Sequence, residues 1–81
     1  MIGIREAIAI LAEKFPDKRI DSNPVQIDDI ITFHFVDKDA SKERAMWDHT
    51  VVGVNQITGE ISWHDAFDED VSKRGIRITE Y

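Results

Sequence analysis

The sequence predicts an α+β fold: one N-terminal helix packed on one face of a three- to four-stranded antiparallel sheet. Three stretches carry that expectation. Residues Trp47 to Trp63 read as a β-hairpin, and Ile4 to Phe15 carry an apolar stripe at helical spacing. Ile31 to Val36 alternate with the period of a strand.

The hairpin organises the rest. Its arms are rich in β-branched residues, and Gln56, Ile57, Thr58 and Gly59 form the expected loop. Gly59 suits the left-handed position that closes many such loops, because it has no Cβ to clash. Counting outward from Asn55 and Glu60 sets Val54 opposite Ile61, Val52 opposite Trp63 and Val51 opposite His64. The first two pairs place four apolar side chains on one face, as a buried face requires.

In the N-terminal stretch, Ile4, Ala7, Ile8, Leu11, Ala12 and Phe15 recur at i, i+3, i+4, i+7, i+8 and i+11. That is one side of an amphipathic helix. Pro16 stops it, since the residue before proline avoids helical geometry. A helix this short is unstable alone in water, so it must cover the sheet.

Asp17 to Pro24 reads as a polar turn whose Ile20 reaches back to the core. The next strand is expected from Val25 to Val36, interrupted at Asp28-Asp29. Ile31, Phe33 and Phe35 form its inner face, beneath the helix with Val52, Val54, Ile61 and Trp63. The charged run Asp37 to Arg44 lacks an apolar stripe and reads as an exposed loop. After the hairpin, His64 to Ser72 is expected to make a helical turn with Phe67 and Val71 facing inward. Arg74 to Tyr81 alternates as a last strand, with Ile76 and Ile78 inward. It is placed either next in a meander or at the other edge of the sheet.

Length and composition narrow the function classes. Eighty-one residues make a single domain, residues 1–81. A chain of this size buries only about 60% of its unfolded surface, so its core is modest. There are no cysteines, which excludes disulfides, thiolate metal sites and cysteine catalysis. The formal charge is −6, shared evenly between the halves, and no basic arm is present to neutralise phosphates. Nucleic acid is therefore not an expected partner. No stretch approaches the roughly 18 apolar residues of a membrane span. The N-terminus lacks a signal peptide's basic start and apolar run. The expected compartment is the cytoplasm, or the exterior if the chain is the trimmed form of a secreted precursor.

Three histidines, His34, His49 and His64, fall on predicted strands and project from the face opposite the helix. Imidazole and the neighbouring Asp48 and Asp65 are zinc-ligand types. However, no His-x-His pair or His-Glu-x-x-His helix is present. The serines have no nucleophile-elbow pattern and the glycines no phosphate-binding motif. The expectation is therefore a protein that is not an enzyme, with no catalytic residues, metal or cofactor. The outer sheet face is mixed instead, with Trp47, Ile30, Val36 and Val51 among Thr32, Ser62 and the histidines. Exposed aromatic and apolar patches mark contact surfaces. Trp47, His49, Val51 and His64 are the expected partner-binding residues, for another protein or for a second copy in a homodimer. The alternative is a small-ligand or metal-binding module on the His34, His49 and His64 face.

The order of features resembles the PepSY-like domain over residues 4–63. The matching parts are the helix Glu6-Ala7-Ile8-Ala9-Ile10-Leu11-Ala12, the exit Phe15-Pro16, the strand Ile31 to Val36, and the strand from Val52 into Thr58-Gly59-Glu60. That family comprises binding or inhibitory modules in propeptides of secreted metalloproteases and in cell-envelope proteins. The resemblance implies a non-catalytic domain that holds another protein. It transfers no catalytic residues. This chain continues beyond the hairpin with a further acidic stretch and strand.

Overall fold

The computed structural model describes residues 1–21, 23–65, 73 and 75–79. Its first element is α1, Ile4–Lys14. Three strands follow: β1 (Lys18–Ile20), β2 (Val25–Ile27) and β3 (Ile30–Asp37). A short helix α2 (Lys42–Trp47) leads into β4 (Thr50–Asn55) and β5 (Ile61–Asp65), and β6 spans Ile76–Arg77. The α+β class is as expected, but the antiparallel sheet has six strands rather than three or four. Its order is β5-β4-β3-β2-β6, with β1 also paired to β3.

The extra strands come from two places. The interrupted stretch Val25 to Val36 is a hairpin rather than one strand. Ile27 pairs with Ile30, and Asp28 takes φ +52 between them. Aspartate tolerates the left-handed region better than most residues, so the chain reverses without a glycine. The supposed polar turn after Pro16 contains β1, which pairs Arg19 with Val36 and Ile20 with Phe35. β1 and β2 thus share one edge of β3. β6 pairs with β2, at the sheet edge remote from β5.

The main hairpin forms in the expected register, with Val54 against Ile61, Val52 against Trp63 and Val51 against His64. Asn55 N–H donates to Glu60 O at 2.9 Å, and Gly59 N–H donates to Asn55 O at 2.8 Å. Asn55 Oδ1 also accepts from the Ile57 and Thr58 amides. Gly59 has φ +78, as the turn requires. The N-terminus is tied to this loop: Ile2 N–H donates to Gln56 O, and Gln56 Nε2 donates to Ile2 O.

The core lies between α1 and the sheet. Ala7 and Leu11 meet Ile31, Phe33, Phe35, Val52 and Val54, all buried. Ile4, Ile8, Phe15, Ile20 and Ile61 close its margins. Trp63 stands on this face as expected, but it is 53% exposed. It packs edge-on against Phe15, with ring centroids 5.4 Å apart. Ala12 is exposed, so the buried stripe is narrower than its spacing suggests.

One expectation changes at the C-terminus. Ile76 is 71% exposed, because it pairs with Gln26 at the sheet margin, beyond the reach of α1. The expected helical turn with Phe67 and Val71 lies outside the described residues.

Phe33→Ala should cost about 3–5 kcal/mol, read by urea unfolding. Gly59→Ala should cost about 1–3 kcal/mol, because alanine must take a positive φ there and its Cβ would meet Ile2 Cδ1 at 3.2 Å. A near-neutral result at both positions would contradict this core and loop.

Candidate functional site

The sheet face opposite α1 was expected to be open. It is covered at the end where β3 meets β4. Strand alternation puts Thr32, His34 and Val36 on this face. Val51 joins them because it pairs with His34, and Arg19 because it pairs with Val36. Val36 is fully buried, Thr32 is 2% exposed and Val51 is 4% exposed.

The segment from Ala40 to Asp48, whose first part up to Arg44 belongs to the run Asp37 to Arg44 that the sequence suggested was an exposed loop, is tied to this face at both ends. Arg19 Nη2 donates to Ala40 O at 3.0 Å. His34 Nε2 donates to Asp48 O at 2.5 Å. Between these two bonds lies α2, with Ala45 1% exposed. Ser41 caps the helix by accepting from Arg44 N–H, and Glu43 sits in its first turn. Six residues are too few to show a periodic stripe, and one alanine suffices to dock the helix. The sequence clue was the cap itself: serine followed by Lys42, Glu43, Arg44, Ala45 and Met46, all good helix formers.

The expected contact residues therefore separate. Trp47 lies at the end of α2 and not on a strand, and it is 71% exposed beside Met46 at 68%. His49 lies in the connection before β4, half-buried. His64 is on β5, where its Nε2 and Ser62 Oγ share a hydrogen bond of 2.8 Å. Gly53 makes room for that pair. A Cβ there would come within 3.0 Å of both His64 Nε2 and Ser62 Oγ, and within 2.8 Å of Ile30 Cγ2. Val51 is buried and gives no contact area, contrary to expectation, because the alternation that put it on the outer face could not reveal the roof above it.

The histidines are not brought to one point. His34 spends its Nε2 proton on Asp48 O, leaving Nδ1 3.4 Å from Asp21 Oδ2. Among the described residues no group of three or more His, Cys, Asp or Glu side chains is placed to hold a metal ion.

Charge clusters where β1 meets the end of β3. Lys18 Nζ donates to Asp37 Oδ1 at 2.6 Å. That bond raises the lysine pKa and lowers the aspartate pKa. Both side chains remain partly in solvent, so the pair adds little stability. The Asp48 carboxylate accepts from Thr50 N–H at 2.8 Å. Hydrogen bonds from Thr50, with help from His34 and Lys18, hold the Asp48 pKa below the usual carboxylate range.

Depressions among the described residues include the following pair. One, of about 510 Å3, is an open dip bounded by Asp17, Asp37, Lys38 and Asp39. The other is an apolar groove of about 210 Å3 between α1 and β1, lined by Ile8, Leu11, Ile20 and Phe35. It is smaller than the roughly 300–1,000 Å3 of ordinary small-molecule sites. No helix among the described residues is long and apolar enough to cross a membrane. No family model, curated protein or solved structure matches this chain.

Val51→Asp should unfold the protein, since it buries an unpaired charge at a cost of several kcal/mol. Circular dichroism checks this, and a native melting curve would contradict the roofed face. Asp48→Ala tests the link between α2 and β4. A carboxyl with a lowered folded pKa adds stability above its unfolded value, near pH 4, and loses it as pH falls through the folded value. The variant should therefore melt lower than the parent at neutral pH, and the gap should close in strong acid.

Proposed function

We propose that this protein is a non-enzymatic interaction module, inhibitory or regulatory in kind, which holds another protein against the outer side of α2. The observation that carries this reading is the exposure of Met46 and Trp47, two large apolar neighbours at the end of a helix anchored by Ala45. Tryptophan is enriched among the residues that dominate binding energy, and methionine adapts its shape to a partner. The Ser41 cap and the His34–Asp48 bond hold the helix at both ends, so a partner would meet a surface already in place. His49 adjoins this surface in sequence. The resemblance of residues 4–63 to PepSY-like modules supports the same class of activity. The net charge of −6 favours a partner with a basic rim.

The test compares the parent with Trp47→Ala and Met46→Ala in affinity capture from host lysate, followed by titration of the captured protein. Trp47→Ala should weaken binding by roughly thirty-fold or more, equivalent to about 2 kcal/mol, and leave the melting temperature unchanged. Rising salt should weaken the complex further. Undiminished capture by both variants would remove α2 as the contact surface.

A further inference from the structure

The outer edge of β5 offers a second surface, unrelated to α2. β5 ends the strand order, and among the described residues nothing pairs with its far side. Hydrogen-bonded and non-hydrogen-bonded rows alternate along an antiparallel pair. The bond from Asn55 N–H to Glu60 O therefore fixes which β5 residues face β4. Glu60, Ser62 and His64 direct their main-chain groups to β4. Ile61, Trp63 and Asp65 direct theirs outward. Such a row binds an extended strand. Natural edges are usually blunted by proline, lysine or a bulge. β5 reads Ile-Ser-Trp-His-Asp, with no proline or lysine, and it pairs without a bulge.

We propose that this edge binds a second copy of the chain, by antiparallel pairing of β5 with β5 about a two-fold axis at Trp63. The outward rows match themselves in that register. Trp63 meets its own copy, and Ile61 meets Asp65, so every outward N–H finds a carbonyl. A self-complementary patch of this kind is what a two-fold dimer requires. The half-exposed indole of Trp63, already packed on Phe15, would be covered by its counterpart on the same face. The joined strands would continue one sheet through both copies. Five residues span only about 17 Å of edge. The contact therefore falls short of the roughly 800 Å2 per partner of a standard interface, and the dimer is reversible and concentration-dependent. Each copy carries −6, so salt should strengthen it by screening the repulsion. That is the opposite sign from capture of a basic partner on α2.

Sedimentation velocity over a hundred-fold concentration range, at low and high salt, tests this on the parent, Trp63→Lys and Trp47→Ala. The parent and Trp47→Ala should pass from monomer to dimer, at lower concentration in high salt. Trp63→Lys should stay monomeric with native circular dichroism. Hydrogen exchange on the parent provides a check that needs no variant: the Trp63 amide should become more protected as concentration rises, even if the lysine variant fails to fold. A parent that stays monomeric would overturn the proposal. So would a dimer that survives Trp63→Lys, or one lost only in Trp47→Ala. Loss of α2-dependent capture would leave this edge untouched, so the two readings fail separately.

Discussion

The pairing of β3 with β4 sets Phe33 beside Val52 and His34 beside Val51, and most other features follow from that register. β3 is bonded along both edges and is buried through most of its length, at Ile31, Thr32, Phe33, Phe35 and Val36. A strand in that position needs cover on both faces. α1 supplies one cover, through Ala7 and Leu11. The other comes from the chain's own β3–β4 connection, which folds back over the sheet as α2. A domain of this size has little apolar surface to bury, so a single buried alanine and two hydrogen bonds to main-chain carbonyls serve as the second cover.

This arrangement decides which side chains reach solvent. Because Val36 and Val51 are buried and the segment carrying α2 is bonded to Arg19 and His34 on their face, the contact surface moves from the sheet to the helix. Trp47 and Met46 stand on that outer surface, while His34 works beneath it as a fastening. The His34 and His64 imidazoles each make a local bond, to Asp48 O and to Ser62 Oγ, instead of converging on a shared ligand. The two tryptophans serve different surfaces. Trp47 caps the roof, and Trp63 closes the core margin on β5, the last strand in the order among the described residues.

Legibility in the sequence followed the range of the interactions. The β4–β5 hairpin was readable because its determinants are local: Gly59 for positive φ, Asn55 for the loop amides, and alternating β-branched residues on either side. The Ile4 to Phe15 stripe was readable for the same reason. β1 was not, since three residues carry little pattern and their partners lie in β3, well along the chain. The reversal at Asp28 was hidden because it uses aspartate where glycine would have signalled a turn. At the candidate site, the exposure of Trp47 was anticipated, but the burial of Val51 was not. Alternation assigns a residue to a face, whereas burial depends on what crosses that face. Here the crossing element was a charged six-residue helix with no stripe to announce it.

The two-sided burial of β3 can be tested directly through nuclear Overhauser contacts from adjacent residues of that one strand. The Phe33 ring should contact Ala7 and Leu11, and the His34 ring should contact the main chain at Asp48 and His49. Contacts from His34 to Leu11, or a His34 ring with no neighbours from the α2–β4 connection, would contradict the arrangement.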